Sequence, residues 1–368
     1  MSATQFPPLQ IGKHVAPRPI IQGGMGIRIS GANLAAAVAE AGGIGTISAV
    51  GLGLNSPYFD PEERNFGRRR ANFFEANRLA LIDEIKKARE LSPTGILAIN
   101  SMVAAQDHET LVRTAAEQGI NLIISGAGLP MHLPEAVADY PDVAIAPIIS
   151  SVRAARVICR KWGRQYNRLP DALIVEEPRS AGGHLGAKAE QFEVPEFLLP
   201  SVIPELVAVL EREFGAKIPV VAAGGIWSRE DIERVLALGA SGVQMGTRFI
   251  TTEECDADIR YKEFHLQATP EDVMLVPSPV GLPGRALRNP FVEKAIAGTL
   301  EPKNACLASC LHTCSYRDRG ENYCILRALD RAARGDVETG LVFAGENGGS
   351  AEAIVPVAKL MAELTECP

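Results

Sequence analysis

Eight short apolar runs separated by helical stretches constrain this 368-residue chain more than any other feature. They fall at 20–22, 44–48, 96–100, 122–125, 143–148, 172–176, 219–223 and 242–245. Helical patterns occupy 32–41, 76–91, 108–117, 131–138, 152–162, 199–214 and 229–238. A buried strand followed by a helix, repeated along the chain, implies a parallel sheet. Eight such units are the number that closes a barrel. The expected fold class is therefore α/β, a TIM (β/α)8 barrel over residues 1–252; an open doubly wound sheet is the alternative. The pattern stops after Thr251, so 253–368 is expected as an appended, mostly helical region, with helices at 291–297, 323–334 and 350–364. Two connections, 51–75 and 177–198, exceed ordinary loop length and lie on the side where barrel enzymes build their sites.

Composition excludes several classes of partner. The net charge is −7 and aromatic residues make up 5%, which argues against nucleic acid. Arg68-Arg69-Arg70 reads as a solvated loop. No apolar run reaches the ~18 residues that span a bilayer, and the N-terminal stretch lacks a signal-peptide core. The expectation is a cytoplasmic protein acting on a small molecule, away from membranes; no oligomeric state is assigned. Seven cysteines, an odd number, argue against a disulfide framework.

Glycine collects where strands end. Strand seven ends in Gly224-Gly225 and strand eight in Gly246-Thr247, the two positions where barrels cradle phosphate on backbone N–H groups. Ser228 is the expected cap of the following helix. That phosphate belongs to a substrate or to FMN; tight turns alone are the alternative. The first strand ends in Gln22-Gly23-Gly24-Met25 and the third in Asn100. Amides there suit a planar heterocycle with donors and acceptors, which favours a flavin across the barrel mouth. Small residues after strands four and five, ending at Ser150-Ser151, face the same mouth. The sixth strand leads to Glu177 and then to Gly182-Gly183-His184. An imidazole on a glycine-flanked βα loop can exchange a proton near neutral pH.

The motifs "PIIQGGM", "AGGIGTIS", "AGGH", "VVAAGGI" and "QMGTRF" together resemble the nitronate monooxygenase (2-nitropropane dioxygenase-like) family, which includes bacterial enoyl-ACP reductase II-type flavoproteins. The resemblance covers about residues 17–252. It implies a TIM barrel and non-covalent FMN. Gly23, Gly24, Met25 and Asn100 would lie near the flavin ring, and Gly224, Gly225, Gly246 and Thr247 at the phosphate. His184 matches the family's catalytic histidine, and Glu177 matches a position that the reductases also fill with Glu. The expected cofactor-binding set also includes Gln22, Ser151, Glu177, Gly182 and Gly183. The favoured reaction is oxidation of alkyl nitronates. NAD(P)H-dependent reduction of an enoyl thioester or a quinone is the close alternative, and a non-enzymatic phosphate-ligand sensor is the alternative from another class.

One motif stands outside the resemblance. In "CLASCLHTCSYRDRGENYC", Cys306, Cys310 and Cys314 are spaced i, i+4, i+8, with Cys324 ten positions on. On a helix the first three share a face, and four thiolates can hold iron–sulfur or zinc. Iron–sulfur is preferred because it could pass electrons to a flavin. Small buried thiols are the alternative, and His312 is a further candidate ligand.

Overall fold

The computed structural model describes residues 6–300 and 305–366. The strands are β1 (Leu9–Ile11), β2 (His14–Ala16), β3 (Ile20–Gln22), β4 (Ile44–Ser48), β5 (Ile96–Met102), β6 (Leu122–Gly126), β7 (Ala144–Ile149), β8 (Leu173–Glu176), β9 (Gly183–His184), β10 (Val220–Ala223), β11 (Gly242–Met245), β12 (Val273–Val276) and β13 (Gly284–Leu287). The first eight helices are α1 (Ala32–Glu40), α2 (Phe66–Leu91), α3 (His108–Glu117), α4 (Leu133–Ala136), α5 (Val152–Tyr166), α6 (Leu199–Phe214), α7 (Arg229–Ala237) and α8 (Ile259–Gln267). The last four are α9 (Pro290–Ile296), α10 (Ser315–Arg319), α11 (Ile325–Ala333) and α12 (Val357–Thr365).

Eight parallel strands close into the expected barrel, in the order β3-β4-β5-β6-β7-β8-β10-β11 and back to β3. Ile21, Ile44, Ile124, Ile174 and Val221 fill its interior. The antiparallel hairpin β1–β2, which the alternation of longer runs does not announce, adds Leu9, Ile11 and Ala16 to that interior cluster. Helices surround the barrel and bury a second apolar layer against the strands. Gly45 shows why "AGGIGTIS" carries glycine: a Cβ there would stand 1.7 Å from Ala35 O. The alanine-rich helix α1 thus rests directly on the backbone of β4. No helix among the described residues is long and apolar enough to cross a membrane.

Three expectations are corrected and one is extended. The connection after β4 is shorter than supposed, because α2 begins at Phe66, where Asn65 Oδ1 accepts the N–H of Arg68 at 3.0 Å. Two members of the basic cluster are therefore not solvated loop. Arg69 donates to Leu307 O (3.0 Å) and Arg70 to Gln106 Oε1 (2.7 Å). The C-terminal region also contributes sheet. Strands β12 and β13 pair antiparallel, and β13 pairs with β9 in turn. Finally, Cys306, Cys310 and Cys314 do not lie on a helix; the chain from 305 to 314 is irregular, with one bridge joining Leu311 to Ala105.

Candidate active site

The C-terminal ends of the barrel strands open into a cavity of about 680 Å³, within the usual range for ligand sites. Most of the site residues expected from the sequence meet there. Gly23, Gly24, Met25 and Asn100 line one part, Gly224, Gly225, Gly246 and Thr247 another, and Ser151, Gly182, Gly183 and His184 the space between. Gly24 has to be glycine: a Cβ would stand 2.4 Å from Asn100 Cβ. Gly224 and Gly225 have φ of +94° and +67°, a backbone that favours glycine.

Among the described residues, no backbone hydrogen bond uses the N–H of Gly224, Gly225, Gly246 or Thr247. Such groups normally have a partner, so this rim of the cavity offers donors to a ligand. The N-terminus of α7 does not join them. Asp231 already accepts the N–H groups of Trp227 (2.9 Å) and Ser228 (3.0 Å), and Ser228 caps the helix as expected. Thr247 Oγ1 accepts the N–H of Gly345 at 2.8 Å, which leaves its hydroxyl proton free to donate. Glu346 brings a carboxylate near Gly225, and a bound anion requires that side chain to point away.

Two expected residues lie elsewhere. Gln22 is fully buried; its Nε2 donates to Ser30 Oγ (2.8 Å), and its Oε1 accepts the N–H of Thr46 (3.0 Å). It ties the glycine loop to β4 and is not among the lining residues. Glu177 is likewise absent from the lining; its carboxylate accepts from Ser180 Oγ (2.8 Å) and the N–H of Leu199 (3.3 Å). Its neighbour Glu176, the last residue of β8, lines the cavity instead.

Glu176 opens onto the cavity with protein packed on every other side, and burial pushes its carboxyl up to about 7. The same surroundings push His184 down to about 4, so its imidazole is neutral at pH 7. His184 Nε2 has no hydrogen-bond partner, and its ring meets Phe343 edge-on at 5.2 Å. Gln244, on β11, also lines the cavity with Oε1 unpartnered. A buried acceptor or donor without a partner is costly, so both point to a polar ligand.

His184 depends on the C-terminal region for its place. It pairs with Gly284 of β13, and Arg285 pairs with Gly183. The buried Arg285 guanidinium donates to Pro178 O (3.3 Å) and to Ala181 O, fixing the loop that carries the imidazole. A Cβ on Gly182 would stand 2.6 Å from Gly345 N. The segment 343–347, which reaches the cavity wall from far along the chain, gave no sequence signal beyond its single glycine.

A family model described as nitronate monooxygenase matches residues 8–366. A Mycobacterium tuberculosis (3aS,4S,5R,7aS)-5-hydroxy-7a-methyl-1-oxo-octahydro-1H-indene-4-carboxyl-CoA dehydrogenase is 29% identical over 76% of this chain and 66% of its own. A Staphylococcus saprophyticus probable nitronate monooxygenase is 26% identical over 75% and 77%. The solved structure of FabK from Thermotoga maritima superposes with a TM-score of 0.69 at 26% identity, covering 94% of this chain and 91% of that one. With its barrel and mouth cavity, this chain belongs to the nitronate monooxygenase family and is an oxidoreductase of that family.

Proposed function

We propose that the chain is an FMN-dependent oxidoreductase that oxidises alkyl nitronates. The observation that carries this reading is the cavity itself: unclaimed N–H groups at Gly224, Gly225, Gly246 and Thr247 on one rim, and an unpartnered, neutral His184 imidazole within. FMN fits this donor set. The N–H rim would take its phosphate, and Asn100 and Gln244 would meet the polar edge of the ring. FMN, when bound, supplies a two-electron acceptor and donor. His184 would orient the substrate by a hydrogen bond from or to Nε2. An anionic nitronate has already lost its proton, so a neutral imidazole suffices. Phe343, Val280, Leu282 and Leu129 give the rest of the cavity an apolar wall for an alkyl group and exclude water.

A second reading is favoured by Glu176. A carboxyl raised to about 7 is still about half protonated at pH 7, and a proton donor beside the site is what saturating an enoyl thioester requires. NAD(P)H would then be the co-substrate. Support comes from the likeness to FabK and to the CoA-ester dehydrogenase. Anaerobic mixing of the purified protein with propyl-2-nitronate, NADH and NADPH in turn, following flavin absorbance, separates the two. Bleaching by the nitronate supports the first reading; bleaching only by a reduced nicotinamide, reversed by an enoyl thioester, replaces it with the second. A colourless protein that takes up no flavin rejects both. Release of the cofactor and its identification by mass as FAD would reject the FMN assignment.

A further inference from the structure

Behind the wall of the main cavity, Cys306, Cys310, Cys314 and Cys324 line one small cavity of their own, closed by Leu311 and Leu326. All four are free thiols. Their convergence is built by the main chain. Gln106 N donates to Cys310 O (2.9 Å), and His312 N to Ala104 O (3.0 Å). Arg317 donates to Leu311 O (2.6 Å) and Ser309 Oγ (2.9 Å), while Asp318 accepts the N–H of Cys314 at 3.0 Å. Ser309 and Asn322 take left-handed φ of 50° and 63°, which turns the chain so that sulfurs distant in sequence face one space. The N–H of Ser309 donates to Cys306 Sγ at 3.3 Å, the kind of bond that stabilises a metal-bound thiolate.

Four free thiols round one buried space, none paired in a disulfide, are better explained by a shared ligand than by packing. Thiolates are metal ligands, and a metal centre supplies the opposing charge that four gathered thiolates need. Four sulfurs round one tetrahedral zinc, each ~2.3 Å from it, stand about 3.8 Å apart. Among the described residues, no three His, Cys, Asp or Glu side chains are gathered to hold a single ion. An iron–sulfur cluster spreads its thiolates over more than one iron and tolerates a wider ring. We propose that Cys306, Cys310, Cys314 and Cys324 ligate an iron–sulfur cluster. The site adjoins the main cavity, which Thr313 and Leu329 line from the same two segments that carry Cys314 and Leu326.

The test uses the full chain, purified anaerobically and reconstituted with ferrous iron, sulfide and a thiol reductant. Iron and acid-labile sulfide should appear in equal amounts. Cys310→Ser and Cys324→Ser should each lose at least fivefold of both, while Cys159→Ser and Cys255→Ser, outside the small cavity, keep them. Melting curves and flavin content serve as the fold control. Iron retained in Cys310→Ser and Cys324→Ser variants that stay folded, zinc at one per chain without sulfide, or no metal at all would overturn the proposal. Metal content is read independently of flavin, so failure here and failure of the flavoenzyme reading remain distinct.

Discussion

His184 and Glu176 share a cavity whose low polarity moves their protons in opposite directions, and each movement has a kinetic consequence. Burial keeps His184 neutral down to about pH 4, so it exchanges hydrogen bonds with substrate without adding charge. Replacing it with Ala should lower turnover by ~10–10²-fold, the loss of one hydrogen bond to a charged substrate, while the flavin stays bound, because the N–H rim is untouched. Turnover and the flavin-to-protein ratio measure this together; a fall of less than about threefold would make the imidazole structural. Glu176 gives a different signature. Its carboxyl is protonated below about 7 and ionises above it. If it donates to an enoyl thioester, reduction should decline as pH rises through about 7, and Glu176→Gln should abolish that limb and most of the rate. Nitronate oxidation should keep its rate and pH profile in the same variant.

At the scale of elements, the short strand β9 carries His184 and β13 holds it. Arg285 satisfies carbonyls of the 178–181 loop from a buried position. Arg285→Met removes the donors and leaves those carbonyls unpaired, at a cost of about 2–3 kcal/mol. The expected outcome is a lower melting temperature together with slower turnover. Unchanged turnover in a variant that still folds would show that the loop needs no such brace. This dependence was not legible in the sequence, whereas the barrel was. The barrel follows from local alternation of apolar runs and helices, which each segment carries in itself. The glycines that mark strand ends do line the mouth cavity, whereas two of the expected polar residues do not. Gln22 and Glu177 were expected beside the cofactor, yet Gln22 turns into the buried network with Ser30 and Thr46 and Glu177 bonds Ser180 and Leu199, while Glu176, the last residue of β8, faces the cavity. The pairing of β9 with β13 and the arrival of 343–347 are long-range contacts that no local pattern encodes. The cysteines come together through left-handed turns and not on the helical face that their i, i+4, i+8 spacing suggests.

Across the whole molecule, the barrel and the C-terminal region are stitched together by buried polar groups, and this makes stability sensitive to acid. His108 follows the β5 loop, His184 lies on β9 and His265 on α8. Burial lowers all three, to about 4, about 4 and about 3. An unfolded histidine titrates near 6.5, so between that value and the folded one the unfolded chain binds more protons. Stability should therefore fall as pH drops from about 6.5 towards 4. Glu176 acts oppositely: its folded pKa near 7 exceeds the unfolded value, so its contribution is lost as pH rises towards 7. Burial raises Asp107, Asp256 and Asp330 as well, and they act in the same sense as Glu176, so the imidazole contribution has to be read from one histidine at a time. His265 isolates the effect, because it is 2% exposed, lies outside the cavity lining, packs on Tyr261 at 5.2 Å and has Nε2 unpartnered. Each such proton contributes up to about 1.4 kcal/mol per pH unit. His265→Phe removes one of them and fills the same apolar space. Melting temperatures of flavin-free wild type and variant, taken every half unit from pH 7 to 4, should diverge on the acid side, with the variant losing less. Parallel curves over that range would show that His265 is already protonated or solvated in the folded chain, and that the junction between barrel and C-terminal region is not the acid-sensitive seam.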